Sequence, residues 1–179
     1  MEIEDHIFKN IKFIKSPNFN ERPDSQKITL IVIHSISLPP KEYGGNYVEN
    51  FFLNNLNVSD HKYFENLQNL KVSSHLYIKR DGEIIQFVPF DKRAWHAGDS
   101  SYNGDSDCNN FSIGIELEGS DSDIFTNQQY KVLVDATKEI LKEYCDINKN
   151  SIIGHSDVSP GRKTDPGIKF EWERYLEQL

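Results

Sequence analysis

Cysteine is scarce in this sequence, and its scarcity excludes two classes of protein. The chain of 179 residues has two cysteines, Cys108 and Cys145, too few for the disulfide framework of a small secreted scaffold. Because there is no cluster of cysteines, a structural Cys-rich zinc site is excluded as well. One Cys108–Cys145 bridge is an alternative, but we expect two free, buried thiols.

Long apolar runs and a basic amino terminus are also missing. The apolar runs are no longer than a strand, so we expect no segment that crosses a membrane. Three of the first five residues are acidic, which opposes the basic first part of a secretory signal peptide. We therefore expect a cytoplasmic protein. A periplasmic or secreted role would need a leader that this sequence lacks or has lost.

Positive charge is the minority sign. There are 20 Lys and Arg against 28 Asp and Glu, which gives a formal charge of −8. Nucleic acids and many membrane surfaces are anionic, so an acidic chain is a poor binder of either. The 37% of hydrophobic residues is enough for a globular core, and the length fits a single domain over residues 1–179. Composition names no function beyond these exclusions.

Local patterns predict an α/β protein, with one mixed sheet packed by helices. A β-branched run at 28–33 predicts a central strand that ends at His34. Thr126 and Gln129 form a capping box ahead of a helix whose apolar residues recur at i, i+3 and i+4 as far as Tyr144. The other expected elements are a helix at 47–53, a hairpin of 75–80 and 83–88 around Asp81-Gly82, a surface loop at 98–110, strands at 111–117 and 151–154, and a final helix at 172–179.

Two histidines and a carboxylate form the first candidate site. His34 and His155 each follow an apolar strand, and Asp165 stands shortly after His155, before Pro166. Pro166 restricts Asp165 to an extended backbone and so fixes the direction of its side chain. Three such ligands leave a fourth position for water, which is the pattern of a catalytic zinc site. The spacing is not a self-sufficient motif, and hydrogen-bonded core histidines with an ordinary turn are the alternative.

Glu116 is the candidate general base. It lies on the predicted strand 111–117, on the side away from its apolar residues, and glutamate is depleted from strands. Near a metal it could take a proton from water. Glu118 is its rival on the same face, and exposure to solvent is the alternative for both. Lys163 could stabilise negative charge on an attacked carbonyl, or could be a solvated loop lysine.

The remaining conspicuous residues are aromatic or imidazole side chains. His75 opens a predicted strand, and we expect it to be a structural, hydrogen-bonded group. Trp95 and His96 stand directly before the loop at 98–110. An exposed indole at Trp95 could stack on the face of a sugar, while burial in the core is the more common fate of tryptophan.

Several segments, taken together, resemble one known family. The chain is similar to the zinc N-acetylmuramoyl-L-alanine amidases related to peptidoglycan-recognition proteins, and among them to the 1,6-anhydro-N-acetylmuramoyl-L-alanine amidases of cell-wall recycling. The resemblance runs from about Ser16 to Trp172. It is carried by IHSISLPP at 33–40, RDGEI at 80–84, PFDKRAWHAG at 89–98, FSIGIELEG at 111–119 and RKTDPG at 162–167.

The resemblance implies a fold and a role for each matching position. The fold would be a central mixed sheet flanked by helices. His34, His155 and Asp165 would hold one Zn²⁺, Glu116 would deprotonate the attacking water, and Lys163 would stabilise the oxyanion. The bond cut would be the lactyl amide between the muramic acid and L-alanine of a small muropeptide.

The sequence also departs from the family's pattern. Ser35 stands where relatives carry Asn, Lys71 where Arg is familiar, and the acidic segment 104–107 where the family is often basic. The resemblance indicates Lys71, Trp95 and Arg162 as substrate contacts. We expect a basic surrounding of the metal from Lys92, Arg93, Arg162 and Lys163.

Three functions compete at this point. The first is a cytoplasmic, monomeric zinc amidase that acts on anhydromuropeptides. The second is an amidase that degrades intact wall, as phage or periplasmic enzymes do. The third is a muropeptide-binding protein without catalysis, which the presence of Asp165, Glu116 and Lys163 disfavours.

Overall fold

The computed structural model describes residues 1–179 and contains twelve short strands and four α-helices. The helices are α1 Tyr47–Phe52, α2 Asn127–Glu143, α3 His155–Val158 and α4 Trp172–Leu176. The strands are β1 Ile3–Glu4, β2 Ile7–Phe8, β3 Lys12–Phe13, β4 Phe19–Asn20, β5 Leu30–Ile36, β6 Leu76–Ile78, β7 Ile84–Gln86, β8 Arg93–Ala94, β9 Ser101–Tyr102, β10 Asp105–Ser106, β11 Ser112–Glu118 and β12 Ile152–Gly154.

Six of the strands form one mixed sheet in the order β12-β5-β11-β6-β7-β3. The pairs β12–β5, β5–β11, β11–β6 and β7–β3 are parallel, and the hairpin pair β6–β7 is antiparallel. The other strands form three two-stranded ribbons outside this sheet. The predicted fold class, a central mixed sheet flanked by helices, is therefore confirmed.

The two faces of the sheet bury different sets of side chains. The odd-numbered residues of β5 and β11, such as Ile33 and Ile115, pack with apolar residues of α2 in the largest core cluster. Strand side chains alternate between faces, so the even-numbered residues lie opposite α2. On that second face Val32 packs in another apolar cluster, and the same parity brings His34 and Glu116 there. The fold thus separates a mainly apolar face from one that carries ionisable groups.

Most predicted elements are present, with shifted ends. The helix at 47–53 is α1, the hairpin is β6–β7, and the long helix is α2, which begins at the capping box of Thr126 and Gln129. The final helix is shorter than predicted and ends at Leu176. No helix is long and apolar enough to span a bilayer.

Three local predictions were wrong. The central strand does not end at His34 but continues to Ile36, because β11 pairs with it along its whole length. The segment 98–110 is not a simple surface loop, since it contains the β9–β10 ribbon and a buried 3₁₀ turn at Cys108–Asn110. Both cysteines are free, but only Cys108 is buried, and Cys145 is exposed just after α2.

Candidate active site

Three side chains converge at one point on the second face of the sheet. The Nδ1 atoms of His34 and His155 are 2.9 Å apart, and Oδ2 of Asp165 lies 3.2 Å and 3.0 Å from them, respectively. All three side chains are buried or nearly so. The structure therefore brings together the two histidines and the carboxylate that the sequence separates by up to 131 positions.

The sheet explains this convergence. His34 lies on β5, and β12 pairs in parallel with β5 so that Gly154 stands beside Ile33. His155 is the next residue and begins α3, which places its ring beside that of His34. Asp165 follows α3 and is tied back to it, because the backbone N–H of Ser156 donates to the Asp165 carbonyl at 3.0 Å.

The arrangement of donors and acceptors fits a bound cation. Nε2 of His155 lies 3.0 Å from the carbonyl oxygen of Ala97, which can only accept, so this nitrogen carries the ring's proton. A guanidinium nitrogen of Arg162 is farther from it, at 3.4 Å. The Nδ1 atom of His155 then carries no proton, and its lone pair faces the carboxylate of Asp165. Two imidazoles and one carboxylate are a donor set that zinc accepts, with a fourth position open to the cleft.

Burial keeps His34 neutral. Burial, and then the neighbouring His155, lower the pKa of His34 to about 4. Burial raises the pKa of Asp165, but the two facing imidazoles outweigh this and hold it below its ordinary range. A neutral imidazole at His34 beside an ionised carboxylate at Asp165 is the protonation state that metal ligation requires.

Glu116 and Glu118, the two rivals for the role of base, have different surroundings. Neither is exposed, contrary to the alternative offered for both. Glu118 accepts the backbone N–H of Gly44 at 2.6 Å and that of Arg80 at 2.9 Å, so both of its oxygens are occupied. Oε2 of Glu116 is buried and has no hydrogen-bond partner. Glu116 is also the register neighbour of His34, whereas Glu118 lies one pleat farther on.

The pKa of Glu116 is raised well above its ordinary value. Burial is the main cause, and the negative charge of Asp165 adds to it, while Lys163 opposes both. A carboxyl group whose pKa is moved towards neutrality is suited to accept and return a proton. A buried carboxylate oxygen without a hydrogen-bond partner is also a rare feature in a folded protein, and functional sites are where such groups concentrate.

A cleft of about 400 Å³ opens over these residues. Glu116, His155 and Asp165 line it together with the predicted residues Lys163, Trp95 and Arg162. Its apolar wall comes from α1, the following 3₁₀ segment and neighbouring loops: Leu38, Phe51, Phe52, Leu67, Leu70 and Val72. The volume lies within the range of small-molecule sites.

Of the three predicted substrate contacts, Trp95 and Arg162 line the cleft and Lys71 does not. Trp95 is half-buried and its indole N–H donates to Asn20 at 2.6 Å, which fixes its ring at the cleft. Arg162 donates to the carbonyls of Ala97 and Asp99, so its guanidinium is engaged with the protein. Lys71 is exposed and lines not the cleft itself but a small pocket that adjoins it.

The expected basic surrounding of the site is only half present. Lys92 pairs with Glu21 and Asp91, and Arg93 makes a two-pronged pair with Asp107, at 2.7 Å and 2.8 Å. Neither lines the cleft, so Arg162 and Lys163 are its cationic residues. The acidic loop therefore neutralises Arg93 rather than facing a ligand.

Two residues near the site were not assigned a role from the sequence. Ser35 lines the cleft, and its hydroxyl is buried without a partner. His96 also lines the cleft and is largely buried, with its Nδ1 atom 2.9 Å from Nε2 of His34. Its place in the segment Trp95–Gly98 was visible, but no spacing rule links it to His34. His75 is the structural group expected, since its ring accepts from the Gly114 N–H and contacts the Lys92 carbonyl.

Comparison with known proteins defines the class. Residues 24–168 match the model of the Amidase_2 family, N-acetylmuramoyl-L-alanine amidase. This range is most of the chain and contains every residue of the candidate site. The chain therefore belongs to the N-acetylmuramoyl-L-alanine amidase family, and the resemblance seen in the sequence is confirmed.

Individual relatives narrow the class. The chain is 48% identical over 178 residues to 1,6-anhydro-N-acetylmuramyl-L-alanine amidase AmpD of Haemophilus influenzae, covering 99% of this chain and 97% of that protein. It matches a crystal structure of a selenomethionine AmpD derivative with a TM-score of 0.97 and 44% identity, over 100% of this chain and 99% of the other.

A more distant structural relative carries a ligand. It is the complex of the amidase AmiD from Escherichia coli with the substrate anhydro-N-acetylmuramic acid-L-Ala-D-γ-Glu-L-Lys. The TM-score is 0.62 with 26% identity, over 90% of this chain and 65% of that one.

Proposed function

We propose that this chain hydrolyses the amide bond between 1,6-anhydro-N-acetylmuramic acid and L-alanine in muropeptides, with one Zn²⁺ per chain. The observation that carries the proposal is the meeting of His34, His155 and Asp165 beside the unpaired carboxylate of Glu116 at the floor of one cleft. The names of the close relatives supply the substrate class. The cytoplasmic location and the monomeric state stay predictions.

The metal would be held by Nδ1 of His34, Nδ1 of His155 and Oδ2 of Asp165. When bound, zinc supplies a Lewis acid that polarises the scissile carbonyl and makes water more acidic. The two imidazoles and the carboxylate would hold the ion at a defined place, because each is fixed by the sheet or by the hydrogen bond between Ser156 and Asp165.

Glu116 moves the proton. Its carboxyl group, which lines the cleft, accepts a proton from the attacking water and then delivers it to the nitrogen of the departing L-alanine. Its raised pKa serves both halves of this task, because a carboxyl that holds a proton too weakly could not return it. Glu118 cannot substitute, since both of its oxygens accept backbone N–H groups.

Lys163 supplies positive charge at the cleft. It is exposed and has no carboxylate partner within ion-pair distance, whereas Lys92 and Arg93 are paired. A free ammonium group beside the carboxylate of Glu116 stabilises the negative oxygen that forms when water adds to the carbonyl. This assigns Lys163 to the transition state rather than to the fold.

The walls of the cleft would select the ligand. Trp95 presents a fixed aromatic ring, the type of surface on which a sugar packs, and Arg162 shapes the rim through its bonds to the loop at 97–99. Lys71 lines a neighbouring small pocket that shares Phe51, Leu67 and Leu70 with the cleft, so its contact with substrate stays a prediction.

Turnover of two substrates tests the proposal. Purified protein loaded with Zn²⁺ is given a 1,6-anhydro-muropeptide or intact murein sacculi, and the released peptide is quantified by liquid chromatography. We expect rapid release from the anhydro-muropeptide and little from sacculi. Equal rates on the two substrates would favour a wall-degrading amidase, and binding without release would favour a recognition protein.

A further inference from the structure

His96 contacts the imidazole of His34 at the ring nitrogen opposite Asp165, and it also lines the cleft. The two ring centroids are 5.0 Å apart at an angle of 84°, and Nε2 of His34 is 2.9 Å from Nδ1 of His96. His96 is 9% exposed, so its ring has few partners other than protein. The contact uses the nitrogen of His34 that does not face Asp165.

The hydrogen bonds beyond His96 have a defined direction. Ser112 Oγ lies 2.5 Å from the carbonyl oxygen of Cys108, which can only accept, so the hydroxyl proton of Ser112 is donated there. Ser112 Oγ must then accept from Nε2 of His96, 3.2 Å away. A neutral imidazole with its proton on Nε2 has a lone pair on Nδ1, and that lone pair accepts the Nε2–H of His34.

These hydrogen bonds determine which nitrogen of His34 carries its proton. With its proton on Nε2, His34 presents a bare Nδ1 to His155 and Asp165. The Cys108 carbonyl thus sets the tautomer of His34 through Ser112 and His96.

The surroundings of His96 hold it in this position. The side-chain oxygen of Asn109 accepts the backbone N–H of His96 at 3.1 Å and that of Ala97 at 2.8 Å. On the sheet side, a Cβ at Gly114 would collide with the His96 ring, so a glycine is required there. The absence of a side chain at Gly114 on β11 therefore leaves the space that the His96 ring occupies.

We infer that His96 is a positioning residue of the metal site, which fixes the tautomer and the orientation of His34 so that its Nδ1 is available to a divalent cation. The inference rests on the proposed zinc site. It assigns to His96 no contact with substrate. Partners of this kind behind a metal-bound histidine raise metal affinity by about 10–100-fold.

A matched pair of variants tests the inference. His96→Asn keeps a hydrogen-bond acceptor at the branch point near the original Nδ1, and His96→Leu has nearly the same shape without one. Zn²⁺ affinity is measured by competition with a chromophoric chelator, and the fold of each metal-free variant is checked by thermal denaturation. We expect a loss of about 10–100-fold in affinity for His96→Leu. We expect His96→Asn to recover most of it at similar thermal stability.

The tautomers themselves give a second readout that needs no variant. In metal-free protein with ¹⁵N-labelled histidine, long-range nitrogen–proton correlation spectra identify which ring nitrogen carries the proton. We expect Nε2–H for both His34 and His96. A proton on Nδ1 of either ring would overturn the inference, even if His96→Leu did not fold.

The outcomes separate this inference from the proposed function. If the wild-type protein binds no Zn²⁺, the proposed site itself is wrong. If the wild type binds Zn²⁺ and hydrolyses the muropeptide, but His96→Leu and His96→Asn bind it as tightly, only the role of His96 is refuted. Equal losses in both variants would mark His96 as a packing residue and would refute its positioning role.

Discussion

Two neighbouring glutamates on one strand should respond oppositely to the same substitution. Glu116 and Glu118 lie on the same face of β11, and both are buried. Glu116 lines the cleft and has a buried oxygen without a partner, whereas Glu118 ties the backbone of Gly44 and of Arg80 to the sheet. We therefore expect Glu116→Gln to lose activity without losing stability, and Glu118→Gln to lose stability while the chemistry survives.

The magnitudes follow from these contacts. Loss of a positioned general base costs about 10²–10⁴-fold in rate, which is roughly 3–5 kcal/mol in the activation barrier. Glu116→Gln breaks no hydrogen bond of Oε2 and removes a buried ionisable group, so the free energy of unfolding should change by less than about 1 kcal/mol. In Glu118→Gln one N–H donor faces the new NH₂ group, and an unmatched bond to a charged acceptor costs about 2–4 kcal/mol, or roughly 5–15 °C in Tm.

Two assays measure the pair side by side. Release of peptide from an anhydro-muropeptide gives kcat and KM with saturating Zn²⁺, and urea denaturation gives the free energy of unfolding. The reasoning would be refuted if Glu116→Gln kept a wild-type kcat. It would also fail if Glu118→Gln were as stable as wild type but inactive, because Glu118 would then be the base.

Three further predictions concern the charge, the acid response and the backbone of the site. Lys163→Met should lower kcat about 10–100-fold while chelator competition shows unchanged Zn²⁺ affinity; a weaker metal site with normal kcat would contradict the assignment. Metal-free protein should lose stability as the pH falls below about 6.5, because burial lowers the pKa of His34 to about 4 and that of His75 to about 3, so the unfolded chain binds protons that the folded chain does not. Each histidine changes the free energy of unfolding by up to about 1.4 kcal/mol per pH unit, and Glu116, whose pKa is raised, changes it in the opposite direction. A free energy of unfolding that stays constant between neutral pH and about pH 5, measured by urea denaturation, would refute the predicted loss of stability. Gly167→Ala should destabilise by more than about 2 kcal/mol, since φ is +93° and a Cβ would collide with the backbone of Asp121; wild-type Tm in this variant would show that the turn after Asp165 tolerates a side chain.

Local sequence patterns predicted the regular elements well. The capping box and apolar period gave α2, and the Asp-Gly turn gave the β6–β7 hairpin, because both signals depend on residues close in sequence. The far end of β5 was missed, because pairing with β11, a strand about eighty residues away, extends it through His34 to Ile36. The burial of Cys108 likewise depends on packing between distant segments.

Part of the candidate site could likewise be predicted from the sequence, and part depends on the fold. His34, His155, Asp165 and Glu116 could be proposed from residue type, strand parity and family resemblance. Whether Glu116 or Glu118 has a free oxygen could not, since it depends on the backbone of Gly44 and Arg80.

The ion pairs of Lys92 and Arg93 and the hydrogen bonds that end at His34 could not be predicted from the sequence either. The pairing of Lys92 and Arg93 away from the cleft comes from side chains brought together by the fold. The path from the Cys108 carbonyl through Ser112 and His96 to His34 needs four segments in contact, and no spacing in the sequence reports it.

Mass spectrometry of the products from a purified 1,6-anhydro-muropeptide tests the central claim most directly. With Zn²⁺ present, the account predicts two products, the anhydro sugar carrying a free lactyl carboxylate and the intact peptide with a free L-alanine amine. Prior removal of the metal with a chelator should abolish both, and added Zn²⁺ should restore them. Cleavage at any other bond, or the same products at an undiminished rate in the metal-free protein, would contradict it.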